Sequence, residues 1–358
     1  MRRVSTAPTC CQNTGRGSIQ PILYAELAVA VSVELCQSSA FWPKQQEYGV
    51  FLTKCGYYSA VAANGTIRIG ISGWRYEPWR GTFYPEDLTQ KSELSFAARK
   101  FNSLEINGTF YSLQRASSFQ RWAADTPDDF VFSVKCPRFI THIRRLREVE
   151  TPLANFLASG PLLFGKKLGP FLWQFPPNFK YDHELLENFL KQLPHDSVEA
   201  AKVASQHDLR IRTEEGLEIQ GKFPVRHAIE VRNKSFAIAE FVELLRRYKI
   251  ALVCADTVEW PRLMDLTCDF VYCRLHGSEK LHANGYDDAS LDNWARRVTD
   301  WACGREPRDV ERVIERDGPK RRERDVFVYF DNDLKVRSPV DAMALAARVK
   351  KLIPESGS

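Results

Sequence analysis

The sequence lacks the features that mark several large classes of protein. No run approaches the roughly 18 to 20 apolar residues of a membrane-spanning helix, because Glu26 and Glu34 interrupt the nearest candidate, Pro21–Cys36. The nine cysteines form no CxxC pair and no Cys/His spacing typical of zinc. Their odd number and scattered positions favour reduced thiols, so we expect a cytoplasmic protein with no membrane partner. The net charge of +5 is too small to indicate nucleic-acid binding by itself.

A Gly-rich phosphate loop is also missing, and this bears on the fold. Apolar strand-like segments alternate with helical segments from residue 66 onwards, which is typical of parallel α/β proteins. A doubly wound open sheet would normally carry a Gly-rich loop after its first strand. Gly70–Trp74 offers neither GxGxxG nor a Walker lysine. The sequence therefore favours a (β/α)8 TIM barrel over the open sheet.

Eight strands are predicted, each followed by a helix or helix-like segment. The strands are Ile67–Ser72, Asn102–Asn107, Phe130–Lys135, Leu168–Phe175, Val225–Arg232, Ile250–Asp256, Asp269–His276 and Asp325–Asp331. The clearest helices are Lys91–Phe101, Ser117–Asp125, Glu150–Phe164, Asp182–Leu193, Ser235–Tyr248, Ser290–Trp301 and Pro339–Leu352, with Asp182 and Ser235 as candidate N-caps. Eight such units over roughly 290 residues match the size of a TIM barrel.

The domain organisation follows from where this alternation starts and where it is interrupted. Residues 1–65 show no sustained periodicity, and we expect an N-terminal extension that is disordered or not part of the fold. A targeting segment is the alternative, because Arg2, Arg3 and Arg16 precede the first acidic residue. The barrel is expected over residues 66–354, with irregular, charged insertions near 195–224 and 304–324. The default interpretation of the second insertion, Gly304–Arg324, is a solvated, flexible segment.

Several motifs resemble those of the DUF72 family, also called the YecE-like family. They are Gly70–Trp74, Trp79–Pro85, Phe101–Asn107, Thr109–Tyr111, Phe132–Lys135, Ile140–His142, Trp173–Pro177, His227–Arg232, Tyr272–Gly277 and Val328–Asp333. They run in family order over residues 67–353 and leave residues 1–65 outside. The resemblance implies a TIM barrel, and it implies no settled biochemical activity.

Three distant strands carry two polar residues each, spaced two apart near the carboxyl end. The first pair is Glu105 and Asn107, the second is Glu230 and Arg232, and the third is Arg274 and His276. Alternate residues of a strand point to the same face. In TIM barrels the working residues lie at the carboxyl ends of the strands. We therefore expect these side chains to converge on one site at the barrel mouth.

This convergence suggests acid/base chemistry on a small polar or anionic substrate. Glu105, Glu230 and His276 are the candidate catalytic residues. The candidate substrate-binding residues are Trp74, Asn107, Lys135, Gln174, Arg232, Arg274 and Asp331. A purely structural role for these residues fits the sequence equally well, because buried ion pairs such as Glu230 with Arg274 also occur in barrel interiors that have no catalytic role.

Other functions are less well supported by the sequence. Lys135 could form a Schiff base if burial lowers its pKa, but anion binding or pairing with Glu105 is the stronger interpretation. A divalent metal held by Glu105, Glu230, Asp256, His142 and His276 is a minor alternative, so we assign no metal ligand. A nucleic-acid partner for the second insertion is weakly supported, and a non-catalytic binding barrel also fits. The cofactor, the substrate and the oligomeric state are not identified by the sequence.

Overall fold

The computed structural model describes residues 50–51, 59–60, 65–212, 214–217, 219, 221–277, 285–332 and 336–353. The expectations for residues 1–65 therefore fall almost entirely outside the described residues. Of residues 1–64, only the two-residue strands Val50–Phe51 and Ser59–Ala60 are described. The barrel lies within the larger of two units into which the chain divides, Phe51–Ser358.

Eight parallel strands form a nearly closed barrel, which confirms the predicted (β/α)8 fold. The strands are β1 (Ile67–Ile71), β2 (Ser103–Ile106), β3 (Val131–Lys135), β4 (Leu168–Gln174), β5 (His227–Glu230), β6 (Ala251–Asp256), β7 (Phe270–Leu275) and β8 (Asp325–Phe330). Each pairs in parallel with its neighbour in chain order from β2 to β8, and β8 pairs with β1. The carboxyl ends of all eight strands therefore lie at one end of the barrel.

Helices connect most of the strands. They are α1 (Glu93–Ala98), α2 (Gly108–Tyr111), α3 (Ala116–Ala124), α4 (Glu150–Ala158), α5 (His183–Leu190), α6 (Ser197–Ala204), α7 (Ala239–Tyr248), α8 (Asp288–Ala302) and α9 (Ser338–Leu352). Short 3-10 helices lie at Glu77–Trp79, Gln90–Ser92, Pro161–Lys167, Glu214–Leu217 and Lys234–Phe236, and Phe139–Ile143 is a π-helical turn. None of the described helices is long and apolar enough to cross a membrane.

The barrel closes between β1 and β2 through a close backbone approach. Ser72 bridges Glu105 in parallel, and the Gly73 amide donates to the Glu105 carbonyl at 2.8 Å. Towards the other end, Asn102 accepts from the Ile69 amide at 2.9 Å and donates to the Ile67 carbonyl at 2.8 Å. A Cβ on Gly70 would lie 1.9 Å from the Ser103 carbonyl oxygen. Only glycine fits at this position of the seam.

The two faces of each strand enter different environments. Inward side chains form a small core inside the barrel, whose larger members are Leu172, Val253, Phe270, Tyr272, Phe327 and Tyr329. Two hydroxyl pairs are buried in this interior, Tyr272 with Ser133 at 2.7 Å and Tyr329 with Ser103 at 2.6 Å. Outward side chains join the larger core between the strands and the surrounding helices. The period of two along each strand therefore decides which polar residues reach the mouth.

Two helix boundaries differ from the prediction, and one predicted cap is confirmed. The helix predicted over Glu150–Phe164 ends at Ala158, because Gly160 takes a φ of +127° and Pro161 begins a separate 3-10 helix. The helix predicted from Ser235 begins at Ala239; Ser235 lies in a 3-10 turn, where its hydroxyl accepts from the Tyr181 amide. The predicted cap at Asp182 is confirmed, because its carboxylate accepts from the Leu185 amide at 3.0 Å.

The first insertion, expected to be irregular, contains the helix α6. Its N-terminus is capped by Asp196, whose carboxylate accepts from the amides of Val198 and Glu199, both at 2.9 Å. Ala200 and Ala204 are buried on one side of this helix. The sequence therefore held a cap followed by apolar residues at i and i+4.

In the second insertion, expected to be solvated and flexible, most charged residues are exposed, and part of the segment packs against the barrel. No helix lies between β6 and β7, and the insertion binds this connection instead. Asp265 accepts from the amides of Val313 and Ile314 at 2.9 and 3.0 Å, and the Met264 amide donates to the Glu311 carbonyl. Val310, Val313 and Ile314 of the insertion are partly buried and pack on the larger core. The insertion thus covers surface that a helix would cover in a regular unit.

Candidate functional site

The inward side chains at the carboxyl ends of the strands form one cluster, named here the mouth cluster. It comprises Glu105, Lys135, Gln174, Glu230, Arg232, Arg274, His276 and Asp331. The structure therefore brings together all three pairs of polar strand residues apart from Asn107, which lies beside them at the start of α2. The catalytic and binding roles assigned from the sequence stay predictions.

Arg274 is the centre of the mouth cluster and is completely buried. Its guanidinium donates to Glu105 through Nε and Nη2, both at 3.0 Å, and to Glu230 through Nη1 at 2.6 Å. Nη2 also donates to the Asp331 carboxylate. Burial alone lowers the pKa of Arg274, but Asp331, Glu105 and Glu230 raise it well above its ordinary value. Four of the five N–H donors of the guanidinium go to carboxylates, and the fifth, on Nη1, faces His276 Nε2 at 3.5 Å, so the described residues leave no donor for a substrate anion.

The carboxylate of Glu105 is likewise fully engaged. One oxygen accepts from the Ser72 hydroxyl at 2.8 Å, the other accepts from the Tyr272 hydroxyl at 2.7 Å, and both accept from Arg274. Its side chain is completely buried. These four donors occupy the four lone-pair sites of the carboxylate. This arrangement leaves Glu105 no free lone pair with which to accept a proton from a substrate.

Glu230 occupies a similar position on the opposite side of Arg274. Its Oε1 accepts from Gln174 Nε2 at 2.9 Å and from Arg232 Nε at 2.7 Å, while Oε2 accepts from Arg274. Burial alone raises its pKa, but Arg274 and Arg232 hold the pKa of Glu230 well below its ordinary value. At neutral pH this carboxylate has no proton to donate, so it does not meet the requirement for a general acid.

Lys135 differs from the other charged members of the cluster because it has no carboxylate partner. It is 8% exposed, and no hydrogen bond or ion pair joins its ammonium to the described residues. Its Nζ lies 4.5 Å from the centre of the Phe110 ring, in a cation–π contact. Burial, followed by the positive charge of Arg274, lowers the pKa of Lys135 to about 8. This amine therefore exchanges protons near physiological pH.

His276 is buried beside Arg274 and is neutral at physiological pH. Burial and the charge of Arg274 lower its pKa below the ordinary value. Its Nδ1 lies 3.2 Å from the Asp331 carbonyl oxygen, and its Nε2 lies 3.5 Å from Arg274 Nη1. Since a carbonyl only accepts and a guanidinium only donates, the ring proton belongs on Nδ1. Trp260 packs edge-on against the imidazole, with ring centres 5.4 Å apart.

Arg232 has donors that the described residues do not use. Its guanidinium lies over the Trp260 ring at 4.1 Å, and only Nε has a hydrogen-bond partner, Glu230. Its side chain is 20% exposed. The two Nη atoms remain as a fork of donors, which is the geometry that binds carboxylates and phosphates in a bidentate manner.

Two buried polar atoms near the mouth also lack partners among the described residues. They are the Oδ1 atom of Asn107 and the Nε1 atom of Trp260. A buried polar atom without a hydrogen bond costs free energy, on the order of 1 to 3 kcal/mol. One is an acceptor and the other a donor, so a polar ligand would satisfy both types.

Two other residues considered from the sequence, Trp74 and Asp256, lie away from the mouth cluster, whereas His142 lies beside it against Phe110, with ring centres 5.1 Å apart. Trp74 packs edge-on against Trp122, with ring centres 5.3 Å apart, which places its ring in the core rather than in the mouth cluster. Asp256 points outwards: it accepts from Arg262 at 2.8 Å and from Trp294 of α8 at 3.1 Å. His142 binds the Thr141 hydroxyl at 2.8 Å, and burial lowers its pKa to about 4.

The minor alternative of a metal centre gains nothing from this geometry. Asp256 belongs to the outward face of β6, so it cannot join Glu105 and Glu230 inside the barrel. Throughout the described part of the chain, no three or more His, Cys, Asp or Glu side chains are arranged to hold a metal ion.

Sequence reasoning missed three residues that shape the mouth cluster. Tyr272 lies two residues before Arg274 on β7, so the same alternation that paired Arg274 with His276 could have identified it. Phe110 and Trp260 make cation–π contacts with Lys135 and Arg232, respectively. Both aromatic residues lie outside the strands. No periodicity in the sequence could have placed them there.

The family model described as "Protein of unknown function DUF72" matches residues 68–356. The chain belongs to the DUF72 family. Among curated proteins it resembles the UPF0759 protein YunF of Bacillus subtilis (strain 168), with 30% identity over 118 residues, 32% of this chain and 41% of that protein. It also resembles the UPF0759 protein YecE of Escherichia coli (strain K12), with 32% identity over 130 residues, 36% and 44% of the two chains. The match thus spans less than half the length of each relative.

Solved structures of DUF72 family proteins have the same fold. One from Thermotoga maritima MSB8 is 24% identical, has a TM-score of 0.59, and is matched over 81% of this chain and all of that chain. Another from Enterococcus faecalis V583 is 18% identical, has a TM-score of 0.54, and is matched over 82% of this chain and all of that chain. The family and the fold are thus established, and neither assigns an activity.

Proposed function

We propose that the barrel mouth is the active site of an enzyme that acts on a small, polar, anionic substrate by acid/base chemistry. The observation that carries this proposal is the environment of Lys135. It is a nearly buried amine with a pKa of about 8, and it has no carboxylate partner beside three carboxylates that are all paired with arginine. A structural lysine would normally be paired at such a position.

Lys135 is suited to move a proton in both directions. With a pKa of about 8, both the amine and the ammonium are well populated near neutral pH. General acid/base catalysis is most efficient when the pKa of the group lies near the working pH. The neutral amine would take a proton from the substrate, and the resulting ammonium would return a proton at a later step.

Arg232 would bind the anionic group of the substrate. Its free Nη donors lie at the mouth, and its guanidinium is fixed by the Trp260 ring and by Glu230. Asn107 Oδ1 and Trp260 Nε1 supply one further acceptor and one further donor. An oriented fork with fixed neighbours loses little entropy on binding, which favours a small planar anion such as a carboxylate.

The proposal changes the roles expected for Glu105, Glu230 and His276. Glu105 and Glu230 become positioning residues, because their carboxylates hold Arg274 and through it set the charge around Lys135. Their fixed negative charges oppose the pKa-lowering effects of burial and Arg274 on Lys135. His276 is a neutral member of the mouth that carries its proton on Nδ1.

The experiment compares wild-type protein with Lys135→Met, which keeps the length and apolar stem of lysine but has no amine. Purified protein is incubated with an extract of small metabolites, and untargeted mass spectrometry follows compounds that disappear and appear. We expect turnover with the wild type and at least a hundredfold lower turnover with Lys135→Met. The exposed Lys166 provides the matched control, Lys166→Met.

Each outcome has a definite meaning. Equal turnover in the wild type and Lys135→Met would overturn the assignment of Lys135. Ligand retention without any turnover would overturn the enzyme proposal in favour of a non-catalytic binding barrel. A nucleic-acid partner would instead show salt-dependent binding of DNA or RNA. Within the basic insertion, Arg312 is not available to nucleic acid, because it pairs with Glu306 and Asp317.

A further inference from the structure

A second cationic cavity lies far from the mouth, in the insertion between α8 and β8. We call it the insertion pocket. It has a volume of about 430 Å³ and is lined by residues of the segment 304–324, among them Arg308, Arg312, Lys320, Arg321 and Arg324. Arg324 immediately precedes β8, so the pocket lies at the amino-terminal end of that strand. The mouth cluster lies at the opposite, carboxyl end.

Arg324 is the unusual residue of this pocket. It is 1% exposed, and its only side-chain hydrogen bond to a described residue runs from Nη2 to the Pro319 carbonyl at 2.6 Å. Its Nε and Nη1 atoms are buried and have no hydrogen-bond partner among the described residues. Arginine stays charged in proteins. A buried guanidinium without a carboxylate is costly unless an anion compensates its charge.

The acids of the insertion pocket supply that compensation only in part: burial holds the pKa of Arg324 below its ordinary value, although Glu306 raises it. Glu306 accepts from the Gly318 amide at 2.7 Å and from Arg312 at 3.1 Å. Asp317 also accepts from Arg312, at 3.1 Å. Neither acid forms an ion pair with Arg324 in the described chain. The two carboxylates are therefore engaged elsewhere.

The rim of the pocket adds cations that are also unpaired. Arg308, Lys320 and Arg321 are exposed, and no ion pair joins them to a described residue. The lining thus contains five basic residues and two acidic residues. Gly304, with a φ of +73°, brings the chain against the Arg321 backbone: its Cβ would lie 2.3 Å from that carbonyl oxygen. The backbone of the insertion therefore closes the pocket at Gly304, a position where only glycine fits.

We propose that the insertion pocket binds a phosphate dianion, either as free inorganic phosphate or as the terminal group of a small phosphate ester. Arg324 lies at the base of the site, where a small shift of its guanidinium would turn the unused Nε and Nη1 donors to the anion, and Arg308, Lys320 and Arg321 surround the anion at the rim. The volume lies within the range of small-molecule sites, roughly 300 to 1,000 Å³, so an ester with a small organic group fits. This site is independent of the activity proposed for the mouth.

The test is isothermal titration of the full chain with inorganic phosphate, and separately with glycerol 3-phosphate, at constant ionic strength. The titration uses the Arg232→Met background, which removes the guanidinium that the mouth offers to anions. We expect saturable binding of one anion per chain. Tighter binding of the ester identifies the ester as the ligand class, and equal or weaker binding identifies free phosphate. Sodium chloride at the same ionic strength serves as the reference.

Neighbouring arginines provide a matched pair of variants. Arg321 lines the pocket, whereas Arg322 is equally exposed but does not. We expect Arg321→Ala to weaken phosphate binding at least fivefold and Arg322→Ala to change it less than twofold. Arg324→Lys keeps a charge but removes the planar donors, and we expect it to abolish binding while the chain stays folded.

Two results would overturn the proposal. One is a response to phosphate that never saturates or that chloride reproduces. The other is equal weakening by Arg321→Ala and Arg322→Ala, which would mean that general surface charge attracts the anion. If Arg324→Lys does not fold, the comparison of Arg321→Ala with Arg322→Ala still decides the question.

Discussion

Arg274 and Glu105 form a bidentate ion pair inside the barrel, with Nε–Oε2 and Nη2–Oε1 distances of 3.0 Å, and both side chains are completely buried. The pair joins β7 to β2 across the interior. Glu230 of β5 binds the same guanidinium at 2.6 Å. One cation therefore ties three strands that are far apart in sequence, which is why polar residues are retained at the apolar interior of the barrel.

Removing this cation is expected to be strongly destabilising. Arg274→Met would leave two buried carboxylates without their shared partner, and breaking a buried ion pair costs about 3 to 5 kcal/mol. Urea unfolding measures the change. The control is Arg144→Met, which breaks an exposed ion pair with Glu148 and is expected to cost less than about 1 kcal/mol. Equal, small losses in the two variants would contradict the central role of Arg274.

The seam between β1 and β2 gives a second prediction. Gly70→Ala would place a Cβ 1.9 Å from the Ser103 carbonyl oxygen, which is backbone and cannot move without opening the seam. We expect a loss of more than about 3 kcal/mol in the free energy of unfolding, measured by urea unfolding. Gly108→Ala is the matched control, because its new Cβ would meet nothing closer than 3.9 Å. A Gly70→Ala variant as stable as this control would disprove the close approach.

The fold was largely predictable, because strand periodicity and helix spacing are local properties of the sequence. The convergence of Glu105, Glu230 and Arg274 was also predictable, since parallel strands of a barrel bring their carboxyl ends to one rim. The helix α6 was missed although Asp196 provided a cap signal. Its charged surroundings concealed the apolar spacing of Ala200 and Ala204.

What each residue does at the mouth could not be predicted from position alone. The strand pattern of the sequence placed Lys135 among acidic residues, but only the structure shows that these carboxylates form ion pairs with arginine. Asp256 ends a strand as Glu230 does, yet it faces outwards to Trp294. The alternation of side chains along β6 could have predicted that Asp256 faces outwards. The pKa of Lys135, in contrast, depends on opposing effects of burial and of the charges of Arg274, Asp331, Glu105 and Glu230, which lie far apart in the sequence.

The buried, neutral imidazole of His227 predicts that the free energy of unfolding falls at acid pH. It is fully buried, its Nδ1 accepts from Trp173 Nε1 at 3.1 Å, and its Nε2 donates to the Pro194 carbonyl at 2.7 Å. Burial lowers its pKa to about 3. Between pH 6.5 and 3 the unfolded chain binds a proton that the folded chain does not, so the stability contributed by neutral His227 is lost as the pH falls.

The measurement compares the wild type with His227→Gln, which keeps hydrogen-bonding groups but does not titrate. Urea unfolding is recorded at pH 7 and at pH 4.5. We expect the wild type to lose about 2 to 3 kcal/mol more than the variant on acidification, since each pH unit below the ordinary pKa contributes about 1.36 kcal/mol. Parallel acid losses in the two proteins would show that His227 is protonated in the folded state.

The lowered pKa of Lys135 predicts how the free energy of unfolding changes at alkaline pH. Its pKa is about 8 in the folded protein and about 10.4 in an unfolded chain. Between these values the unfolded chain holds a proton that the folded chain has released, so stability rises with pH across this window. The difference in unfolding free energy between the wild type and Lys135→Met should grow in favour of the wild type by about 3 kcal/mol from pH 7 to pH 10.5.

The same amine can be titrated directly, which separates its pKa from any effect on stability. Brief acetylation with acetic anhydride at a series of pH values, read by peptide mass spectrometry, reports the neutral fraction of each lysine. We expect the normalised acetylation of Lys135 to have its midpoint near pH 8, well below the value of about 10.4 for a lysine in a model peptide, and the acetylation of exposed Lys166 in the same samples serves as the reference. A Lys135 midpoint equal to that of Lys166 would place a counter-charge beside the ammonium. The mouth would then hold a paired structural lysine, and the proposed proton transfer would have no group to perform it.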